Sequence, residues 1–376
     1  MTASKMRAAL TAILLGTATM TALVLPAHAQ AQVSARVGAA LKEAQALATA
    51  GNYKAAMAKI NEADGAPGKT PADNTIINQM RNFVAVKSGD TSTAAGAKAK
   101  FAMDYNARKW KDVIGAADTL RKHGALGAQE QLLIAQAYYS SGDFAGCSRY
   151  VKTLGNGDTA LELAARCAYE NGDEVTQRQA LETLVSRGGK PEHWKSLLRL
   201  AERTRGLSDA NTLDINRIRM LTGNIVTKDD YLLLAQLAVQ LGNAAEAQSV
   251  TEKGIAAKVL NDERSTRLLN LAKTQAAANA ANLQKNIAAG RAQGSGEALL
   301  RVGSDLASQG KGKEALPIVQ EAIKKGLKDQ ANGQITLGRA YLAAGQKADA
   351  QKIFSSVKAP PKDQMVANLW TVVSRR

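Results

Sequence analysis

The sequence predicts an all-α fold in which antiparallel helix hairpins stack on one another as a solenoid. Three observations carry this. A glycine turn recurs at a step near 34 residues. Apolar residues on either side of each turn keep helical spacing. No stretch alternates apolar and polar residues over the length of a strand. At 45% hydrophobic residues the 376-residue chain has enough apolar material for a core, which argues against wholesale disorder.

The elements follow in order. Residues 1–29 read as an export signal: Lys5 and Arg7 open it, an apolar stretch runs from Ala8 to Leu25, and Pro26 precedes Ala27-His28-Ala29. The predicted cleavage follows Ala29; the rival reading, an uncleaved anchor, suits the small-residue exit less well. No later stretch resembles a membrane span, since the most apolar one, Tyr231 to Leu241, is interrupted by Gln236 and Gln240. Residues 30–73 hold a first hairpin around Gly51, closed by the loop Gly65 to Pro71. Residues 74–360 carry the repeat array, of which 74–107 do not fit a clean two-helix unit. Residues 361–376 supply a closing helix and tail, with Gln364 to Val373 helical.

Within the array, Gly142, Gly172, Gly206 and Gly242 lie 30, 34 and 36 residues apart, and Gly310 and Gly345 lie 35 apart. Between Gly242 and Gly310 there is room for two units, with a glycine-free turn expected near Ala276-Ala277. Thirty-four residues before Gly142 stands Arg108, just ahead of Trp110. Gly188 to Pro191 and Gly290 to Gly296 read as breaks between helix pairs.

One unit makes the physics plain. Ile134, Ala135 and Tyr138 form a stripe before the turn; Phe144, Cys147, Val151 and Leu154 form one after it. Gly142 can adopt the left-handed backbone that ends a helix, and Asp143 is placed to cap the next one. Such a hairpin is apolar on both sides, and stacking neighbours hides what it cannot hide alone.

These residues resemble tetratricopeptide repeats, whose units carry a small residue and a Tyr in the first helix, Gly-Asp/Asn-aromatic at the turn, and Ala in the second helix. Ala135, Tyr138, Gly142, Asp143 and Phe144 match, with Cys147 in place of the Ala. Leu337, Gly338, Tyr341, Gly345, Ala350, Phe354 and Pro361 match in the last unit, and Gly51, Asn52, Tyr53, Ala56, Ile60 and Pro67 in the first. The resemblance implies a right-handed superhelix and a generic protein-binding scaffold. It further implies that the first helices of successive units line a concave groove. Carried over, that lining comprises Gln129, Gln136, Tyr139, Glu162, Arg166, Tyr169, Arg203, Gln236, Gln240, Lys273 and Arg339. Amides, guanidinium groups and two tyrosines suit an extended peptide; the bland reading is solvated helix faces.

Cys147 and Cys167 sit about equally far from the turn at Asn156-Gly157, so in an antiparallel pair their sulfurs can meet. A bridge would persist in an oxidising compartment. The alternative is two small core residues.

The search for chemistry returns nothing that outweighs packing. His123 and His193 are seventy residues apart, too far in sequence to suggest a metal motif. His123 reads as decoration of a helix end. Gly294-Ser295-Gly296 lacks the third glycine of a dinucleotide turn. Ser355 to Lys358 spells S-x-x-K without its companions. Asp229-Asp230 and Asp262-Glu263 read as helix starts. No cofactor is expected.

The formal charge is +16, and +14 without residues 1–29, which contain Lys5 and Arg7 and no acid. Basic residues are spread among acidic ones, and 4% aromatics leave little for base stacking, so nucleic acid is not expected. The expectation is therefore a non-enzymatic periplasmic scaffold or adaptor. Its partner would be another cell-envelope protein or an extended peptide. The alternative is a cell-envelope factor for peptidoglycan or another anionic polymer.

Overall fold

A computed structural model describes residues 33–358 and 360–375, so the export signal and its cleavage site lie outside the described residues. Among the described residues every regular element is a helix. The chain divides into two compact units, Met1–Gly142 and Asp143–Arg376.

The first unit holds α1 (Ala35–Thr49), α2 (Tyr53–Asp64), α3 (Pro71–Ser88), α4 (Ala94–Asn106), α5 (Trp110–Lys122) and α6 (Ala128–Ser140). Val37, Leu41, Ala44, Ile60, Ile77 and Val84 form its main core. Thr70 and Asp73 cap α3 reciprocally, and Asp73 also accepts the Ser34 amide at 2.8 Å, which ties the start of α1 to the start of α3. The irregular stretch after residue 73 now has a form. A long α3 packs against α2 and α4, and α4 packs in turn against α5 across Arg108.

The second unit runs through α7 (Phe144–Val151), α8 (Asp158–Glu170), α9 (Glu174–Ser186), α10 (Pro191–Glu202), α11 (Asp209–Leu221), α12 (Lys228–Gln240) and α13 (Ala244–Ala256). It continues with α14 (Glu263–Ala281), α15 (Leu283–Ala292), α16 (Glu297–Ser308), α17 (Gly312–Lys325), α18 (Gln330–Ala343), α19 (Lys347–Ser356) and α20 (Pro361–Ser374). Gly142, Gly172, Gly206, Gly242, Gly310 and Gly345 all take positive φ, between 71° and 80°. Arg108 takes φ 57° where the spacing placed a turn without a glycine. Asp143 caps α7 through the Gly146 amide at 2.7 Å.

Two expectations are corrected. The turn near Ala276-Ala277 is absent: α14 continues to Ala281, because an alanine run with no glycine or proline favours helix, and Asn282 alone separates it from α15. Gly290 lies within α15, so the break begins at Gln293.

Cys147 and Cys167 are joined by a disulfide between α7 and α8, with Cα atoms 5.8 Å apart.

The second unit also closes on itself. α20 packs against α19 and α18, and against α9 and α11 far earlier in the chain, while α16 packs against α13. One core joins Leu184, Trp194, Ile215, Ile335, Phe354 and Trp370. The Phe354 and Trp370 rings stack with centroids 6.1 Å apart. As a result α11, α18 and α20 bury residues on nearly every side, polar ones included.

Candidate binding surfaces

In the first unit, Gln129 is exposed in the first turn of α6, while Gln136 and Tyr139 are half-buried. In the second, Arg166 is exposed and Tyr169 is 53% exposed, both on α8. Arg203 is exposed at the end of α10. Gln236 and Gln240 are exposed on α12, one turn apart, with Leu233 (41% exposed) on the same stripe. Lys273 is exposed on α14, whose Leu271 is 47% exposed.

Several of these side chains already have partners. The Glu162 carboxylate takes Lys190 Nζ at 3.0 Å and His193 Nε2 at 3.1 Å. Gln240 donates to Asp209 at 2.7 Å, and Lys273 pairs with Glu252 at 3.2 Å.

Arg339 is the exception. It is 7% exposed and lines no open face. Arg217 grips Glu246 with two nitrogens, the shorter contact 2.6 Å, and reaches Asp214 at 2.8 Å. Arg339 Nε lies 3.5 Å from the same Asp214 carboxylate, and its guanidinium sits over the Trp370 ring. Burial and the like charge of Arg217 push the Arg339 pKa down to about 10, against the pull of Asp214 and Glu246. Burial raises the Glu246 pKa, but Arg217 more than offsets this and holds it below the ordinary range. Two cations and two anions thus balance at the junction of α11, α13 and α18. The cause is the packing: Gly338 and Ala340 flank Arg339 and admit neighbours closely on both sides.

The sides that close together therefore belong to the second helices: α20 covers α9 and α11, α16 covers α13, and α18 reaches α11 through Arg339 and Asp214. Exposed side chains remain on the first helices α8, α10, α12 and α14, and on the outer sides of the second helices, where Val175, Leu221 and Ile255 are exposed.

A further feature escaped the sequence reading. A cleft of about 390 Å³ lies between α9 and α20, lined by Gln179, Glu182, Thr183, Ser186, Asn368 and Thr371, with Arg375 also at its border. A second cleft of about 240 Å³ shares Gln179 and Thr183, and its other walls include Leu154, Leu161 and Ala164. Burial pushes the Glu182 carboxyl above its ordinary range, opposed by Arg178 one turn away. No sequence signal joins Glu182 to Asn368, because only the return of α20 brings them together.

Among the described residues no group of three or more His, Cys, Asp or Glu is placed to hold a metal ion. No described helix is long and apolar enough to cross a membrane.

Stacked helix hairpins, left-handed turns at the repeat step and small residues at the helix crossings define the class: this is a tetratricopeptide-like helical repeat protein. No family model matches the chain, and no curated protein sequence matches it. Similar solved structures include Naa15/Naa10 bound to HypK-THB, at 14% identity over 87% of this chain and 54% of that one, TM-score 0.29. Others are the assembly chaperone of RpL4, Acl4 (16% identity, 64% of this chain and 94% of that one, TM-score 0.20), and the P58(IPK) TPR domain (13%, 90% and 98%, TM-score 0.20). The scores are low, and the class rests on the helices and turns of this chain.

Proposed function

We propose that the chain is a non-enzymatic scaffold, exported to the periplasm, which binds another cell-envelope protein or an extended peptide along its first helices. One observation carries the reading. Tyr169, Leu233 and Leu271 stay exposed on α8, α12 and α14, with Arg166 on α8 and Gln236 and Gln240 on α12 beside them. Large apolar groups beside amides and guanidinium groups are the anchors and backbone-pairing groups of a protein interface. Export is supported by the pattern of residues 1–29 and by the pairing of Cys147 with Cys167, which persists best in an oxidising compartment.

The test is photo-crosslinking in intact cells, with a benzophenone amino acid at position 169 or 203. The expected result is a discrete protein adduct whose yield is unchanged by salt added before illumination and which disappears in a Leu233→Glu background. The net charge of +14 favours a second reading, binding to an anionic polymer. Recovery only of cell-wall adducts, whose yield falls when salt is added before illumination, would establish that reading and remove the first.

A further inference from the structure

The cleft between α9 and α20 has a chemistry of its own. The Thr183 hydroxyl donates to the Gln179 carbonyl at 2.8 Å, Ser186 to Thr183 at 2.8 Å, and Thr371 to Ala367 at 2.9 Å. Their protons are committed to helix carbonyls, so each hydroxyl oxygen is left as an acceptor. The amides of Gln179 and Asn368 add further acceptors. Among the described residues no hydrogen bond or close ion pair is made to the Glu182 carboxylate, and Arg178 one turn away acts on it only through its charge. The cleft thus offers several acceptors and a half-buried carboxylate, whose charge is opposed by Arg178 on its own helix and by Arg375 at the border of the cleft, with no hydrogen-bonded partner from either. A group that fits has several donors and a positive charge, which describes a guanidinium better than an ammonium.

The neighbouring cleft, across Gln179 and Thr183, is walled by Leu154, Leu161 and Ala164 and suits an aliphatic side chain. α9 presents both: Glu182 and Ser186 face one cleft, Thr176 and Ala180 the other. Gln179 stands between them, where its amide can pair with a peptide backbone.

We infer that α9, flanked by α8 and α20, binds an extended peptide through one arginine and a nearby aliphatic side chain, with Glu182 receiving the guanidinium. The inference rests on the scaffold reading but uses another face of the molecule, so each can fail alone. Arg375 borders the same cleft, and its charge opposes a cationic ligand.

The experiment uses the full chain and short acetylated, amidated probes: Arg-Gly-Leu, Gln-Gly-Leu, Arg-Gly-Gly and arginine amide. Affinities are measured by calorimetry, and the site is located by amide chemical-shift changes. The expected result is that Arg-Gly-Leu binds best, shifts amides of α9 and α20, and exceeds the Gln probe by about tenfold, as one charge-assisted pair allows. Arginine amide alone should bind more weakly than Arg-Gly-Leu. Glu182→Gln should erase the preference for Arg over Gln, and Arg375→Ala should strengthen it. Burial penalises the Glu182 charge, so the neutral variant should melt no lower than the parent. Retention of the preference in Glu182→Gln overturns the inference, as does binding without shifts on α9, or no Arg-Gly-Leu binding at millimolar concentration. Crosslinking through positions 169 and 203 is independent of all these outcomes.

Discussion

A methyl group added at Gly338 would lie 2.3 Å from the ring of Phe354, a side chain with no exposure at all. The ring is fixed by Trp370 stacked against it. Gly338→Ala should therefore cost about 1–3 kcal/mol by overpacking, read from urea unfolding of the full chain. Arg108 presents the opposite case. It holds φ 57°, where an L residue is strained by roughly 1–2 kcal/mol and glycine is not. Glycine also raises the entropy of the unfolded chain, which offsets part of this relief, so Arg108→Gly should give a net gain of about 0.5–1 kcal/mol by the same measurement. Gly338 and the step to Arg108 were visible in the sequence, because turns and close crossings recur with the repeat. Arg339 was not. Its polarity suggested an open face, and only the neighbours that converge on α18 make it part of an internal charge network.

At the scale of elements, α20 is predicted well as a helix and incompletely as to its place. Its apolar pattern said that it covers something; that it covers α9 and α11 as well as α18 and α19 follows from the second unit folding back. Trp370→Ala removes the ring that joins these helices and should cost about 3–5 kcal/mol, seen as a lower midpoint for the second unit in hydrogen exchange. The disulfide between α7 and α8 closes a loop with a sequence separation of 20. Replacing Cys147 and Cys167 together by alanine should lower stability by about 3 kcal/mol in the chain-entropy model, measured under non-reducing conditions. The equidistance of the two cysteines from their turn made the pairing one of two readings, and the structure takes the bridged one. The extra turn expected in α14 failed for an equally local reason, since nothing in its alanine run stops a helix.

Across the whole molecule, carboxylates serve mainly as caps and ion-pair partners. Lys69 and Arg81 hold Asp64 down at about 2, against an ordinary 3.8. Thr70 and Ser34 lower Asp73, and Thr176 lowers Asp173. Folded-state values below the unfolded ones mean that this stabilisation is complete above roughly pH 4.5. It is lost as pH falls through the lower folded values. Glu182 and Asp305 run the other way, because burial raises both, so acid relieves a cost there. The depressed groups are the more numerous, and the urea midpoint of the full chain should fall between about pH 6 and pH 3. An unchanged midpoint would show that the caps contribute nothing to stability.

The amino-acid sequence by itself determined the helices, the hairpin step, the turn glycines and the class of fold, because each depends on residues a few positions apart: periodicity, capping and backbone freedom act locally. The tertiary structure alone decided which helix faces stay open. The sides of α9 and α11 are covered by α20, more than a hundred residues further along, and that of α13 by α16, about fifty further along, so long-range packing sets the exposure of the polar side chains there. That is why Tyr169 stays in water, Arg339 does not, and Glu182 finds itself beside Asn368.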